Sequence, residues 1–176
     1  MEAAKFIELQ YLTLRKEIET SKSNMFNLAI GGGTAVPIAQ YVAYTYSIGT
    51  ITLALPLIVV VLVLLFLSEN HAVMRAGTYI LQEIEPSIVG VRGWETWLSA
   101  SAATAGTRTV DKLVVFAFAV LASSYFLVSV VLAAQYAQKE FGQQVQYLVA
   151  GGYLGVGIVL AFMIYQQSRT STTAKP

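Results

Sequence analysis

Four apolar stretches, none holding a charged residue, constrain this 176-residue chain more than any other feature: Phe26–Tyr46, Thr50–Leu67, Leu113–Gln135 and Tyr147–Tyr165. A soluble core built from so short a chain could not hide all four from water. Each has about the ~20 residues that a helix needs to cross the hydrocarbon of a bilayer. The expected fold class is therefore all-α: an integral membrane protein with four transmembrane helices and a helical cytoplasmic cap. Composition agrees, with 56% hydrophobic and only 12% charged residues, where a soluble domain carries ~25% charged residues.

The basic residues give an expected orientation. Lys5, Arg15, Lys16 and Lys22 precede the first stretch, Arg75, Arg92, Arg108 and Lys112 lie between the second and third, and Arg169 and Lys175 follow the fourth. Only Lys139 falls elsewhere. With four crossings, ten of the eleven basic residues share one face, which the positive-inside rule assigns to the cytoplasm. An odd number of crossings would scatter them. The expected plan is a cytoplasmic amphipathic helix (1–24), a transmembrane hairpin (25–68), a cytoplasmic helical segment (69–112), a second hairpin (113–166) and a cytoplasmic tail (167–176). The loops near 47–49 and 136–146 then lie outside. The location is the cell membrane, multi-pass. The charged, polar first 24 residues do not read as a cleavable signal peptide.

Within that plan, Ile7, Tyr11, Leu14 and Ile18 recur at helical spacing and form one apolar stripe before the first span. The first span holds Gly31, Gly32, Gly33 and Pro37, a run expected to weaken or bend a helix and to admit a neighbouring backbone. Gly151-x-x-x-Gly155 in the fourth span fits close helix packing, either within the chain or between copies. Gln40, the most polar residue inside a span, calls for a hydroxyl on a facing helix or a narrow polar path in an oligomer. The second span runs without a breaker into Ser68–Glu85. As a single helix, Thr50–Glu85 would be about 54 Å long at ~1.5 Å per residue. His71, Arg75, Thr78, Gln82 and Glu85 share one face of that extension, and Val73, Gly77, Ile80 and Ile84 another. Pro86 is expected to stop it.

Chemistry is sparse. With no cysteine and one histidine, thiolate sites and two-histidine metal sites are excluded within one chain. No nucleophile elbow or zinc-protease helix occurs. The spans carry no ionisable group of the kind that ion-coupled transporters relay charge with. A net charge of +1 gives nucleic-acid binding no electrostatic support. No enzyme activity, metal or cofactor is expected. The expected partners are the lipid bilayer, further copies of the chain and a cytoplasmic protein.

The candidate binding surface is His71, Arg75, Tyr79, Glu85, Arg92, Trp94 and Glu95 on the cytoplasmic side. Its arginines could pair with nearby carboxylates, or could meet an anion while Trp94 supplies a flat contact. The motifs Tyr11-x-x-Leu14-Arg15-x-Glu17-Ile18, His71-x-x-x-Arg75-x-Gly77-x-Tyr79-Ile80, Ile84-Glu85-Pro86 and Gly93-Trp94-Glu95-x-x-Leu98 come in an order that resembles a group of small uncharacterised prokaryotic multi-span membrane proteins. The resemblance covers about a third of the chain, implies the same membrane topology and carries no catalytic assignment. Two functions are expected in competition: an oligomeric scaffold or signalling component acting through the cap, and an oligomeric pore or channel gated by it.

Overall fold

The computed structural model describes residues 2–87, 93, 94, 96 and 107–173, with side chains for 5–87, 93, 94, 96, 116–162 and 164. Among them every element is helical: α1 (Glu2–Thr45), α2 (Gly49–Tyr79), a π turn (Ile80–Ile84), a 3-10 turn (Glu85–Ser87), α3 (Thr107–Phe141) and α4 (Gln143–Thr173). Three helical segments are long and apolar enough to cross a membrane: Gly49–Ser87, Phe116–Phe141 and Gln143–Phe162. The first apolar stretch lies in α1, where Asn27, the glycine run, Thr34 and Gln40 dilute its apolar character.

Both glycine and proline are absorbed without ending a helix. α1 continues through Gly31–Gly33 and Pro37, and α2 through Pro56. In an apolar surrounding a backbone amide has no water to turn to, so the helix survives a breaker that would end it in solution.

The turns are short for stated reasons. α1 closes with the Ile48 amide donating to the Ala43 carbonyl at 3.0 Å, and Ser47 takes φ 53° to allow it, the arrangement of a Schellman cap. α3 and α4 are separated by Gly142 alone, at φ 92°, a conformation glycine adopts without a Cβ penalty. The loop expected over 136–146 is therefore helix on both sides of one residue. Its Gln, Lys, Glu and Ala residues are good helix formers, so the polar stretch stays helical up to the single break at Gly142.

The chain divides into two compact units. The first comprises Met1–Gly31 and Leu64–Val120. Its core is Ile18, Ala76, Ile80 and Ile84, with Ile7, Tyr11, Leu14 and Val73 packed against them. The apolar stripe read from α1 is thus the seam on which α2 lies. The rings of Phe66 and Phe118 stack at 4.0 Å in the same unit.

The second unit comprises Gly32–Val63 and Leu121–Pro176. Val36, Leu55 and Val59 form its core, flanked by Ala39, Ile51, Leu62, Tyr125 and Phe126. Polar groups cross-tie its helices. The Tyr125 hydroxyl donates to the Gly33 carbonyl at 3.3 Å, the Tyr153 hydroxyl donates to the Leu53 carbonyl, and the Gln40 amide donates to the Ser129 hydroxyl at 3.4 Å. Gln40 has found the facing hydroxyl that an amide in a largely apolar stretch calls for.

Candidate functional site

The first unit holds the sequence-derived site, so its geometry is built from α1 upward. Gln10, Glu17 and Asn24 stand seven residues apart beside the apolar stripe, on one edge of a helix whose partner lies along its seam. Each meets a polar side chain of α2. Asn24 donates to Glu69 Oε1 at 3.0 Å, Arg75 donates to Glu17 Oε1 at 3.3 Å, and Gln10 donates to the Tyr79 hydroxyl at 2.9 Å. Numbers rise on one helix as they fall on the other, so the two run antiparallel as a stem. The ladder sets register more than stability. The Arg75 side chain is 69% exposed and that of Glu17 40%, and an ion pair so open to water contributes under ~1 kcal/mol. Arg15, 5.3 Å over the Tyr11 ring and donating to its hydroxyl at 3.1 Å, stiffens the α1 side.

The π turn decides what the far end of the stem presents. Its wide turn is closed by the Glu85 amide on the Ile80 carbonyl. A wider turn advances each residue through a smaller angle than an α-helix does. Glu85, placed on the polar face by an unbroken α-helical count, comes round towards the side of Ile80 and is buried at 7% exposure. Its carboxylate then accepts the Thr96 amide at 2.7 Å and the Thr96 hydroxyl at 2.5 Å. Gly93 makes room for it, since a Cβ there would lie 2.0 Å from the carboxyl carbon. Glu85 therefore ties the 93–96 segment to the stem and is not an open ligand group. Trp94, carried on that segment, is 52% exposed.

Among the described residues, the expected site residues go to separate partners. Arg75 meets Glu17, Tyr79 meets Gln10, Glu85 meets Thr96, His71 is exposed on α2, and Trp94 is exposed on the tied segment. Arg92 and Glu95 lie outside the described residues. Among the described residues no three His, Asp or Glu side chains come together as a metal site. Sequence reasoning missed Gln10, Glu17, Asn24 and Thr96. The seven-residue spacing of the first three was a usable signal, but it names no partner.

The glycines expected to pack helices divide in the same way. A Cβ at Gly32 would meet Leu62 at 3.0 Å and one at Gly33 would meet Leu121 at 4.0 Å, whereas one at Gly31, Gly151 or Gly155 would meet nothing within 4 Å. On α4 the close approach belongs to Gly157, where a Cβ would lie 3.0 Å from Phe126. Gly151 and Gly155 share a face, and among the described residues no neighbour comes within 4 Å of a Cβ on it.

No protein family, curated protein or solved structure matches the chain.

Proposed function

We propose that the protein is a four-span integral membrane protein of the cell membrane, with both termini and the stem in the cytoplasm, that works as an oligomeric scaffold or signalling component and not as an enzyme. Phe26–Tyr46, within α1, is the fourth span of this reading. The charge asymmetry supports it, because an even number of crossings keeps ten of eleven basic residues on one side.

The observation that carries the role is the stem itself. An apolar seam and a three-rung polar ladder hold two helices in fixed register, and Glu85 holds Thr96, two residues from Trp94, at their end. This is a support for exposed side chains: His71, Arg75 and Trp94 are presented on it. Such a surface suits a protein partner, for which an exposed tryptophan and an arginine are the favoured anchors. The test is Arg75→Ala combined with Trp94→Ala in the full chain. Loss of co-purifying cytoplasmic proteins or of self-assembly supports the reading, and an unchanged interactome and assembly overturn it.

A pore is the second reading, favoured by the Gly151–Gly155 face that none of the described residues covers. Small residues let helices of separate copies approach closely, and a ring of copies could enclose a path gated by dewetting without any charged residue. The mass of the assembly in lipid nanodiscs separates the two readings. A closed ring of four or more copies with ion flux in liposomes favours the pore, and a monomer or dimer removes it.

A further inference from the structure

The second unit contains a cleft of about 290 Å³ where α1 turns into α2, closed on its other side by the C-terminal part of α3. Its floor is apolar, formed by Ala43, Leu55 and Leu132, and the first two are almost fully buried. One wall is the Tyr136 ring. It lies so close over Gly49 that a Cβ there would fall 1.7 Å from the ring, so the glycine and the wall belong together.

The rim is chemically different from the floor. Thr52, Gln135, Lys139 and Glu140 line it, and among the described residues none of their side chains has a hydrogen-bond or ion-pair partner. Lys139 and Glu140 are adjacent on α3, and neighbours on a helix diverge instead of pairing. Gln40 spends its amide on Ser129. Among the described residues its carbonyl oxygen accepts no bond, and no side-chain atom lacking a partner is buried. That oxygen is therefore an open acceptor on a residue lining the cleft. The result is one ammonium and a set of acceptors around a small apolar floor, the arrangement expected of a ligand site.

The chemistry selects a zwitterion. Lys139 suits a phosphate. Glu140, the Gln40 carbonyl and the Thr52 hydroxyl suit a primary ammonium, which brings three donors. A trimethylammonium group has no proton to donate to them. The surroundings select an amphiphile: Tyr44 of the cleft lining is 83% exposed, and Tyr41 and Tyr46, close to it in sequence, are each 70% exposed, as residues at a membrane interface are. Earlier on α3, Leu127, Val128 and Val131 are exposed apolar side chains, surface of the kind an acyl chain can lie on.

We propose that this cleft binds a phosphoethanolamine group, with Lys139 on the phosphate and Glu140, Gln40 and Thr52 on the ammonium. The membrane placement proposed above makes a lipid headgroup its natural source, and free phosphoethanolamine is the other. The role of the stem does not enter.

The test uses the full chain in nanodiscs of equimolar phosphatidylethanolamine, phosphatidylcholine and phosphatidylglycerol with identical acyl chains. Bound lipid is counted by native mass spectrometry after release. The expected result is a preference for phosphatidylethanolamine over phosphatidylcholine of about tenfold, the factor one charge-assisted hydrogen bond supplies. Glu140→Gln should abolish that preference, and Lys139→Met should lower retention of all three lipids. Thr52→Val should weaken the preference in part. Lys139 and Glu140 are exposed, so their variants should fold, and unchanged helical circular dichroism checks this.

Retention in the ratio supplied, or a preference that survives Glu140→Gln, overturns the proposal. Preference for phosphatidylglycerol also overturns it, since it reports a lone cation. Millimolar O-phosphoethanolamine separates the sources within the same chemistry: a lipid adduct that persists assigns the site to the membrane, and displacement assigns it to the free zwitterion. A chain that does not enter nanodiscs refutes the membrane placement, a result separate from any lipid preference.

Discussion

Ile80→Ala measures whether the stem is a water-exposed hydrophobic core. Ile80 has no exposed surface and sits among Ile18, Ala76 and Ile84 at the start of the π turn. The substitution removes about three carbons. At ~0.8 kcal/mol each the transfer loss is ~2.4 kcal/mol. A cavity of roughly 80 Å³ left unfilled would add up to ~2 kcal/mol. The expected cost is therefore ~2.4 to ~4.4 kcal/mol. Hydrogen exchange of the amides in 69–84 reads it as a protection loss of at least about fiftyfold. Leu55→Ala in the second unit is the control, since Leu55 is equally buried, at 1% exposure. On the membrane placement proposed above its surroundings are lipid. Lipid tails are as apolar as leucine, so the transfer term disappears and only a packing loss of at most ~2 kcal/mol remains. Denaturation of the second unit by SDS in mixed micelles reads that cost. If Ile80→Ala changes exchange by less than about threefold, the stem does not hold as a core. If the two substitutions cost the same, the assignment of one core to water and the other to lipid is wrong.

The Glu17–Arg75 pair should behave as a register device. A double-mutant cycle is expected to give a coupling below ~1 kcal/mol that shrinks with salt, and a larger, salt-insensitive value would show that the pair is shielded from water. Gly49→Ala should destabilise the second unit by about 1–3 kcal/mol through the collision with Tyr136. Thermal unfolding of Gly49→Ala with Tyr136→Ala should return most of the loss. Gly151→Ala and Gly155→Ala meet nothing among the described residues, so each should leave monomer stability unchanged or raise it by up to ~1 kcal/mol. A fall in assembly mass with intact monomers would place this face between copies. Thr96→Val removes the hydroxyl donor to Glu85 and keeps the amide. It should cost about 1–2 kcal/mol and raise proteolysis near residue 93 without loosening the rest of the stem.

The sequence was legible where one physical property dominates. Long charge-free stretches announce helices and their apolar environment because no other regular structure satisfies every backbone group there. The Ile7–Tyr11–Leu14–Ile18 stripe announced a seam because helical spacing leaves those residues on one face. Gln40 announced a facing hydroxyl because an amide in an apolar stretch needs a partner, and Ser129 supplies it.

Tertiary structure decided everything that depends on which face meets which neighbour. GxxxG at Gly151 and Gly155 is a statement about one helix, and the neighbour came to Gly157 instead. The sevenfold spacing of Gln10, Glu17 and Asn24 did not name Tyr79, Arg75 and Glu69, because partners in an antiparallel pair are fixed by where the chain turns. Glu85 was placed on the polar face by counting α-helical turns. The π turn altered the count, and the carboxylate went inside to Thr96. The cleft beneath Tyr136 depends on residues about ninety positions apart, a distance over which local periodicity carries no information. A helix is chosen by forces within a few residues of each other, whereas a site is made where separate helices meet.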